Sequence, residues 1–410
     1  MHPLPPIASL VSRDTEASTK QVLLLVESSR AYGRGCLAGI SAFLRDRSNW
    51  RIVHIERSLA EGVPEEVRRQ RFDGVIARIE TSSMADAIAE MGVPAVDIRG
   101  VFCPDGGVSF DTDPEACAAL ALDHFRGRGF RRLGYCGYPG LKFSDQRQNH
   151  FTDFCAEAAT DVTAFESPGH LRENDPPRGE DTVASELGGE LDRHEIARWI
   201  GQLPTPIGIF ACNDVRARQV LRAAIEAGKR VPDEVGVLGV DDDEVICDLC
   251  NPPLSSIEPD TFRIGFEAAE WLERLMAGQL PSQPKFLIAP RRVATRRSTD
   301  VIMVEDPSVC RALSFIREQA CAGIGVAEVV KSVNVSRATL ERRFRQSIGR
   351  TPREEIERVR MERIRLLLAE TTYGLGRIAE LTGYRTSTHL ITAFRRAEGC
   401  TPGEFRKRIG

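Results

Sequence analysis

The apolar positions of this chain follow two regimes. Up to about residue 300, short uninterrupted apolar or β-branched runs recur: "VLLLV" (22–26), "RIVHI" (51–55), "DGVIAR" (73–78), "PAVDI" (94–98), "RRLGYCG" (131–137), "PIGIFAC" (206–212) and "VGVLGVD" (235–241). Strands buried on both faces read this way, and the stretches between the runs carry helical spacing. "ACAALALDHFRGRGF", for example, predicts a helix stopped at Gly127 and Gly129. The rhythm is that of βαβ units, so an α/β fold with doubly wound parallel sheets is expected.

Beyond residue 308 the runs give way to helical periodicity, and the chain repeats itself. "VAEVVKSVNVSRATLERRFRQSIGRTP" (326–352) overlays "LGRIAELTGYRTSTHLITAFRRAEGCTP" (375–402) at a spacing near fifty residues. Each copy holds a short apolar helix, a tight turn ("VNVS" or "TGYR") and a second helix. In that second helix Leu340 and Phe344, or Leu390 and Phe394, share one face at i, i+4. This predicts an all-α domain with two helix-turn-helix units. Opposite the apolar stripe lie Ala338, Arg342 and Arg345 in one copy, and Thr388, Thr392, Arg395 and Arg396 in the other. Arginine grips guanine edges or phosphates, and threonine suits backbone oxygens or a thymine methyl, so these faces fit a major groove. Arg337 and His389, near the starts of the same helices, complete the candidate DNA-binding set. "PREEIERVRMERIRLLLAE" between the copies reads as one rigid amphipathic spacer helix. A helical protein-docking module is the alternative.

Charge sharpens the division. From Ser308 onward there are about 20 Lys plus Arg against about 11 Asp plus Glu, so a tail near +9 follows a body near −13 within a net charge of −4. A basic C-terminal part is a candidate for double-stranded DNA. The 410 residues exceed one core and are divided as a disordered tail (1–19), an α/β domain (20–300) and a DNA-binding domain (301–410). With no signal peptide and no run of roughly eighteen apolar residues, a soluble cytoplasmic protein without a membrane partner is expected. The eleven cysteines are scattered inside apolar runs and read as buried reduced thiols. Only "CDLC" (247–250) has metal-like spacing, and no second ligand pair accompanies it, so no metal is expected.

In parallel α/β sheets ligands sit beyond the carboxyl ends of the strands. Those positions are polar here: Glu27, Ser28 and Ser29; Arg78; Asp97; Asn213 and Asp214; Asp241 to Asp243. Carboxylates, amides and guanidiniums beside an aromatic such as Tyr32 suit a sugar, with its many hydroxyls and weakly apolar ring. The alternative is that the acids merely cap helices. The glycines of "SRAYGRGCLAG" imitate a dinucleotide fingerprint, but six residues, Glu27 to Tyr32, separate the strand from Gly33. A tight helix start without a cofactor is the better reading. No nucleophile elbow, zinc-protease motif or P-loop occurs, so no catalytic residue is assigned and no enzyme is expected.

"IFACNDVRARQVLRAAIEAGKRVPDEVGVLGVDDDE" (209–244) and "DTDPEACAALALDHFRGRGFRRLGY" (111–135) resemble the two-lobed sensor of the lactose-repressor family and of periplasmic sugar-binding proteins. The resemblance implies a sugar cleft that includes Asn213 and Asp241. "RQNHF" is similar to a further family segment and implies Arg147 as a cationic ligand, although His150 replaces the usual glycine. With Ser29, Tyr32 and Arg78 these form the candidate ligand-binding set. "HLRENDPPRGEDTVASELGGE" (170–190) departs from the family and is expected to be a surface loop. The paired helix-turn-helix units, ending in Gly399, Thr401 and Pro402, resemble the DNA-binding domain of the AraC family. The succession of these two parts, with "SRAYGRG" and "RRSTD" (296–300), is similar to a family of sugar-operon regulators. It implies a homodimer on DNA, xylose or a related sugar as effector, and RNA polymerase as a partner of an activator. A non-sugar metabolite in the same cleft is the alternative.

Overall fold

We describe a computed structural model of the chain, over residues 19–45, 49–56, 59, 61–102, 105–166, 182–301 and 306–409. The expected tail lies outside these residues except for its last position. The chain divides into two compact units, one ending at Asp300 and the other starting at Val301.

The first unit runs β1 (Lys20–Leu25), α1 (Ala31–Arg45), β2 (Trp50–His54), α2 (Glu65–Arg68), β3 (Gly74–Ala77), α3 (Ser82–Glu90), β4 (Ala95–Asp97), β5 (Val108–Thr112), α4 (Pro114–Gly127), β6 (Arg132–Cys136) and α5 (Lys142–Glu157). It continues with β7 (Asp161–Ala164), α6 (Thr182–Leu191), α7 (Arg193–Gln202), β8 (Ile207–Ala211), α8 (Asp214–Glu226), β9 (Val235–Val240), α9 (Glu244–Leu249), β10 (Ser255–Glu258), α10 (Thr261–Met276), β11 (Lys285–Ile288) and β12 (Arg292–Ala294). Two six-stranded sheets result, in the orders β11-β5-β4-β3-β1-β2 and β12-β10-β9-β8-β6-β7. All pairings are parallel except β10 with β12. Each sheet is the centre of one lobe, and the apolar runs read from sequence each hold a strand.

The chain leaves the first lobe after β5, builds the second, and returns through α10. That return explains the glycines after β1. A Cβ at Gly39 would lie 2.0 Å from the Phe262 carbonyl oxygen, and one at Gly265 1.9 Å from that of Cys36. Gly39 and Gly265 therefore let α1 and α10 pack backbone against backbone, while a Cβ at Gly33 would lie 2.0 Å from the Glu27 carbonyl oxygen, at the start of α1 itself. "CDLC" lies at α9, where the Cys247 thiol donates to Asp214 (3.4 Å) and that of Cys250 to the Ile246 carbonyl (3.2 Å). The expected surface loop is corrected in part as well. Residues 170–181 lie outside the described residues, but from Thr182 the segment is helix α6, with Thr182, Ser185 and Glu186 buried.

The second unit is helical: α11 (Pro307–Gln319), a one-turn 3-10 helix (Ala320–Ala322), α12 (Val326–Val333), α13 (Arg337–Ile348), α14 (Pro352–Glu370), α15 (Leu375–Leu381), α16 (Ser387–Glu398) and α17 (Pro402–Ile409). It holds two apolar cores. Leu340 and Phe344 anchor one, and Leu390 and Phe394 the other. Helix α14 serves both, giving Ile356 to the first and Met361, Ile364, Leu367 and Leu368 to the second. Local chemistry repeats with the cores. Ser336 and Thr386 cap α13 and α16. Gly349 and Gly399 end those helices at φ of 73° and 70°, a left-handed backbone that favours glycine. Thr351 with Glu354, and Thr401 with Glu404, then form reciprocal caps on α14 and α17.

Candidate functional site

In the first unit, residues that follow β1, β3 and β4 of one lobe meet residues of α5 and α6 and those following β8 and β9 of the other. Arg78, the first residue past β3, donates to Glu27 Oε1 at 2.5 Å and pairs with Glu80 at 2.8 Å. Its guanidinium lies 4.9 Å from the centre of the Tyr32 ring. The Tyr32 hydroxyl donates to the Ile98 carbonyl at 3.0 Å, so Tyr32 supports Arg78 rather than presenting a free hydroxyl. Arg99 donates to Glu80 at 3.1 Å and reaches across to the second lobe, 4.4 Å above the Phe143 ring. Arg147 shares that ring at 5.3 Å and donates to the Cys212 carbonyl at 2.5 Å. Burial pushes the Glu80 carboxyl up, but Arg99, Arg78 and the Thr182 hydroxyl outweigh it and hold the group at about 2.

Asp241 is the centre of this arrangement. Its half-buried carboxyl is raised by desolvation, against the attraction of Arg147, Arg78, Arg30 and Arg99. Among the described residues its carboxylate receives no hydrogen bond and joins no ion pair within 4.0 Å. Its backbone adopts φ of 115°, and Asp242 follows at 47°. Such strain persists where neighbours hold it. Here Ser256 Oγ accepts from the Asp242 amide at 3.0 Å, and Arg296 donates to the Asp242 carboxylate at 2.6 Å. Buried Glu27 Oε2 and Arg147 Nε also have no hydrogen-bond partner among the described residues. Unmet acceptors and donors of this kind are what a polyhydroxylated ligand satisfies.

The other strand-end residues have different roles. Asn213 commits both ends of its amide: Oδ1 accepts from the Arg216 amide as the cap of α8, and Nδ2 donates to Glu186, each at 2.9 Å. Asp243 accepts from the Ala31 amide at 2.9 Å, so it caps α1 from the opposite lobe. Asp97 accepts from the amides of Ile79 and Arg99. The helix-capping alternative therefore describes Asn213 and Asp243, and Asp97 holds loop amides, while Arg78 and Arg147 both attract Asp241. Ser29 is exposed at the rim, on a cavity of about 440 Å³ that it shares with Arg30, Arg34, Glu186 and Asp243. Arg30, Glu80, Arg99, Phe143 and Glu186 were missed. Glu80 and Arg99 lie two or three residues past strand ends, where the same positional rule would have found them.

In the second unit every candidate DNA-facing residue is exposed: Arg337, Ala338, Arg342 and Arg345 on α13, and Thr388, His389, Thr392, Arg395 and Arg396 on α16. Arg337 donates to Glu341 at 2.9 Å, and the Thr392 hydroxyl to the Thr388 carbonyl at 3.0 Å. Continuous with the second face, Arg353, Arg360, Arg385 and Tyr384 line a groove of about 430 Å³ with His389 and Arg396 of the face itself. Among the described residues no helix is long and apolar enough to cross a membrane.

A two-lobed ligand cleft and a paired helix-turn-helix domain in one chain define a ligand-responsive, DNA-binding transcription regulator. The comparisons agree. Residues 122–299 match the periplasmic binding protein-like domain, and residues 329–408 match a helix-turn-helix domain. The chain is a homologue of the xylose operon regulatory proteins. It is 29% identical over 394 residues to that of Escherichia coli (strain K12), covering 94% of this chain and 96% of the relative. It is 27% identical over 393 residues to that of Haemophilus influenzae, covering 94% and 98%. A solved xylose-binding transcription activator superposes with a TM-score of 0.73 at 28% identity, covering 95% of this chain and 98% of that one. These relatives are regulators, and this chain is a regulator rather than an enzyme.

Proposed function

We propose that this chain is a cytoplasmic, homodimeric activator of sugar-catabolism genes, and that its effector is xylose or a closely related sugar. The observation that carries the reading is the half-buried Asp241 carboxylate, which four arginines attract electrostatically and which receives no hydrogen bond from the described residues. A carboxylate so placed accepts from two neighbouring hydroxyls of a ring. Charge supports a neutral ligand. Arg30, Arg78, Arg99 and Arg147 are offset by Glu27, Glu80, Glu186 and Asp241, so the cleft holds no surplus cation for an anionic effector. The names of the relatives point to a pentose.

Sugar binding between the lobes favours the closed arrangement, and the closed sensor changes how paired DNA-binding domains sit on adjacent half-sites, with RNA polymerase as the downstream partner. Arg342, Arg345, Arg395 and Arg396 grip phosphates or base edges, and Thr388 and Thr392 contact backbone oxygens or thymine methyls. A thermal-shift screen of pentoses, hexoses and purines, followed by calorimetry, tests the sensor. Xylose should raise the melting temperature of the sensor and bind at one site per chain. A purine response with no sugar response would refute the sugar reading.

A further inference from the structure

Helix α6 has its polarity inverted. Its large apolar side chains Leu187 and Leu191 are 69% and 76% exposed, while Thr182, Ser185 and Glu186 are each 5% exposed or less. Hydrophobic burial therefore does not hold this helix in place, and its attachments are polar. On the second lobe, the Gln219 side chain donates to the Glu186 carbonyl at 2.9 Å and Asn213 donates to the Glu186 carboxylate at 2.9 Å. Gly189 allows the approach, since a Cβ there would lie 2.6 Å from Gln219 Oε1 and 2.8 Å from the Tyr138 ring.

On the first lobe, Arg30 forms a fork with Glu186, Nη1 to Oε1 at 2.9 Å and Nη2 to Oε2 at 2.5 Å. The Thr182 hydroxyl donates to Glu80 Oε2 at 2.8 Å. Both first-lobe anchors belong to the cleft, because Arg30 faces Asp241 and Glu80 pairs with Arg78 and Arg99.

We propose that α6 is a polar strap that clamps the two lobes together, with Glu186 and Thr182 as positioning residues that couple lobe closure to effector binding. An effector that orders Arg78 and Asp241 also orders the groups the strap holds. By reciprocity the strap then raises the affinity for the effector. Bidentate geometry makes Arg30 the dominant anchor and Thr182 the lesser one. The inference rests on the sensor reading above, but part of its test does not.

Hydrogen exchange on the full chain without effector reads the strap alone. Arg30→Met should raise exchange across residues 182–191 at least tenfold although Arg30 belongs to the other lobe, and Arg30→Lys should fall between. Unchanged exchange in α6 would overturn the strap. Calorimetry with xylose reads the coupling. Arg30→Met and Glu186→Gln should each weaken binding about tenfold, Thr182→Val about threefold, and the Arg30→Met/Glu186→Gln double variant no more than the worse single one. Multiplying losses would mean that the two residues act independently, and the clamp would be wrong. A wild-type chain that binds no sugar would refute the effector reading, and the exchange result would still decide the strap.

Discussion

The sensor cleft and the helix-turn-helix faces handle arginine in opposite ways. In the cleft, Arg99 and Arg147 are buried and Arg78 is largely so, each is matched to carboxylates, carbonyls or aromatic rings, and most of their partners come from distant parts of the chain. On α13 and α16, Arg342, Arg345, Arg395 and Arg396 stand in solvent on helices held by Leu340, Phe344, Leu390 and Phe394. The difference follows from the ligand. A small neutral molecule is recognised by a preorganised, water-poor network, whereas a polyanionic duplex is met by an exposed cationic surface. Stability and recognition are therefore entangled in the cleft and separable on the DNA-binding faces.

The strongest challenge to that contrast is Arg78→Ala. It leaves buried Glu27 without its cation and strips Glu80 of one of its two arginines, so the sensor should lose about 3–5 kcal/mol of stability together with its effector binding. Chemical denaturation beside calorimetry checks this, and a variant of native stability would show that the network is not structural. Asp241→Ala should be milder for the fold and severe for binding. With on the order of 1–3 kcal/mol for each lost contact and two hydroxyls served, affinity should fall by about a hundredfold. Sugar binding at wild-type strength would remove Asp241 from the cleft assignment.

On the DNA side, Arg342→Ala should cost about 1–3 kcal/mol of specific binding and relax the preference at one base pair. Its effect on stability should stay within about 0.5 kcal/mol, as for other exposed positions. Titrations of operator DNA at several salt concentrations should show a steep salt dependence that sugar binding lacks. Loss of fold in this variant would erase the proposed separation.

A further effect concerns pH. Burial lifts the Asp97 carboxyl to about 8, against the amides of Ile79 and Arg99 that donate to it. An unfolded chain releases that proton near pH 4, so between about pH 4 and 8 the folded sensor holds the extra proton. Its contribution is present in acid and is lost as the pH rises. Melting temperatures measured from pH 6 to 8 should fall, and Asp97→Asn should flatten the slope. An identical slope in both proteins would place the titrating group elsewhere.

The same contrast governs what could be read from the residues in order. The helix-turn-helix units were legible almost to the residue, because helical cores, caps and exposed faces are set by neighbours within four positions. The fifty-residue repeat then supplied every element twice: Leu340 with Leu390, Phe344 with Phe394, Gly349 with Gly399. The seven apolar runs likewise announced seven of the twelve strands. Short polar strands such as "SSIE" (255–258) were not announced, since their burial comes from the sheet around them.

Strand-end position brought out Arg78 and Asp241, and the family resemblance Arg147, but neither could rank them against Asn213, whose amide is consumed by Glu186 and a helix cap. Glu186 itself sat in a segment read as a loop. The glycines after β1 read as a tight helix start, and Gly35 and Gly39 proved also to be the seat of α10, more than 200 residues further on. Local periodicity and capping chemistry are written within a few residues and so belong to the sequence alone. Which buried charges meet, and which helix closes over them, depends on chain crossings that bring distant segments within hydrogen-bond reach, and that distance exists only in the folded chain.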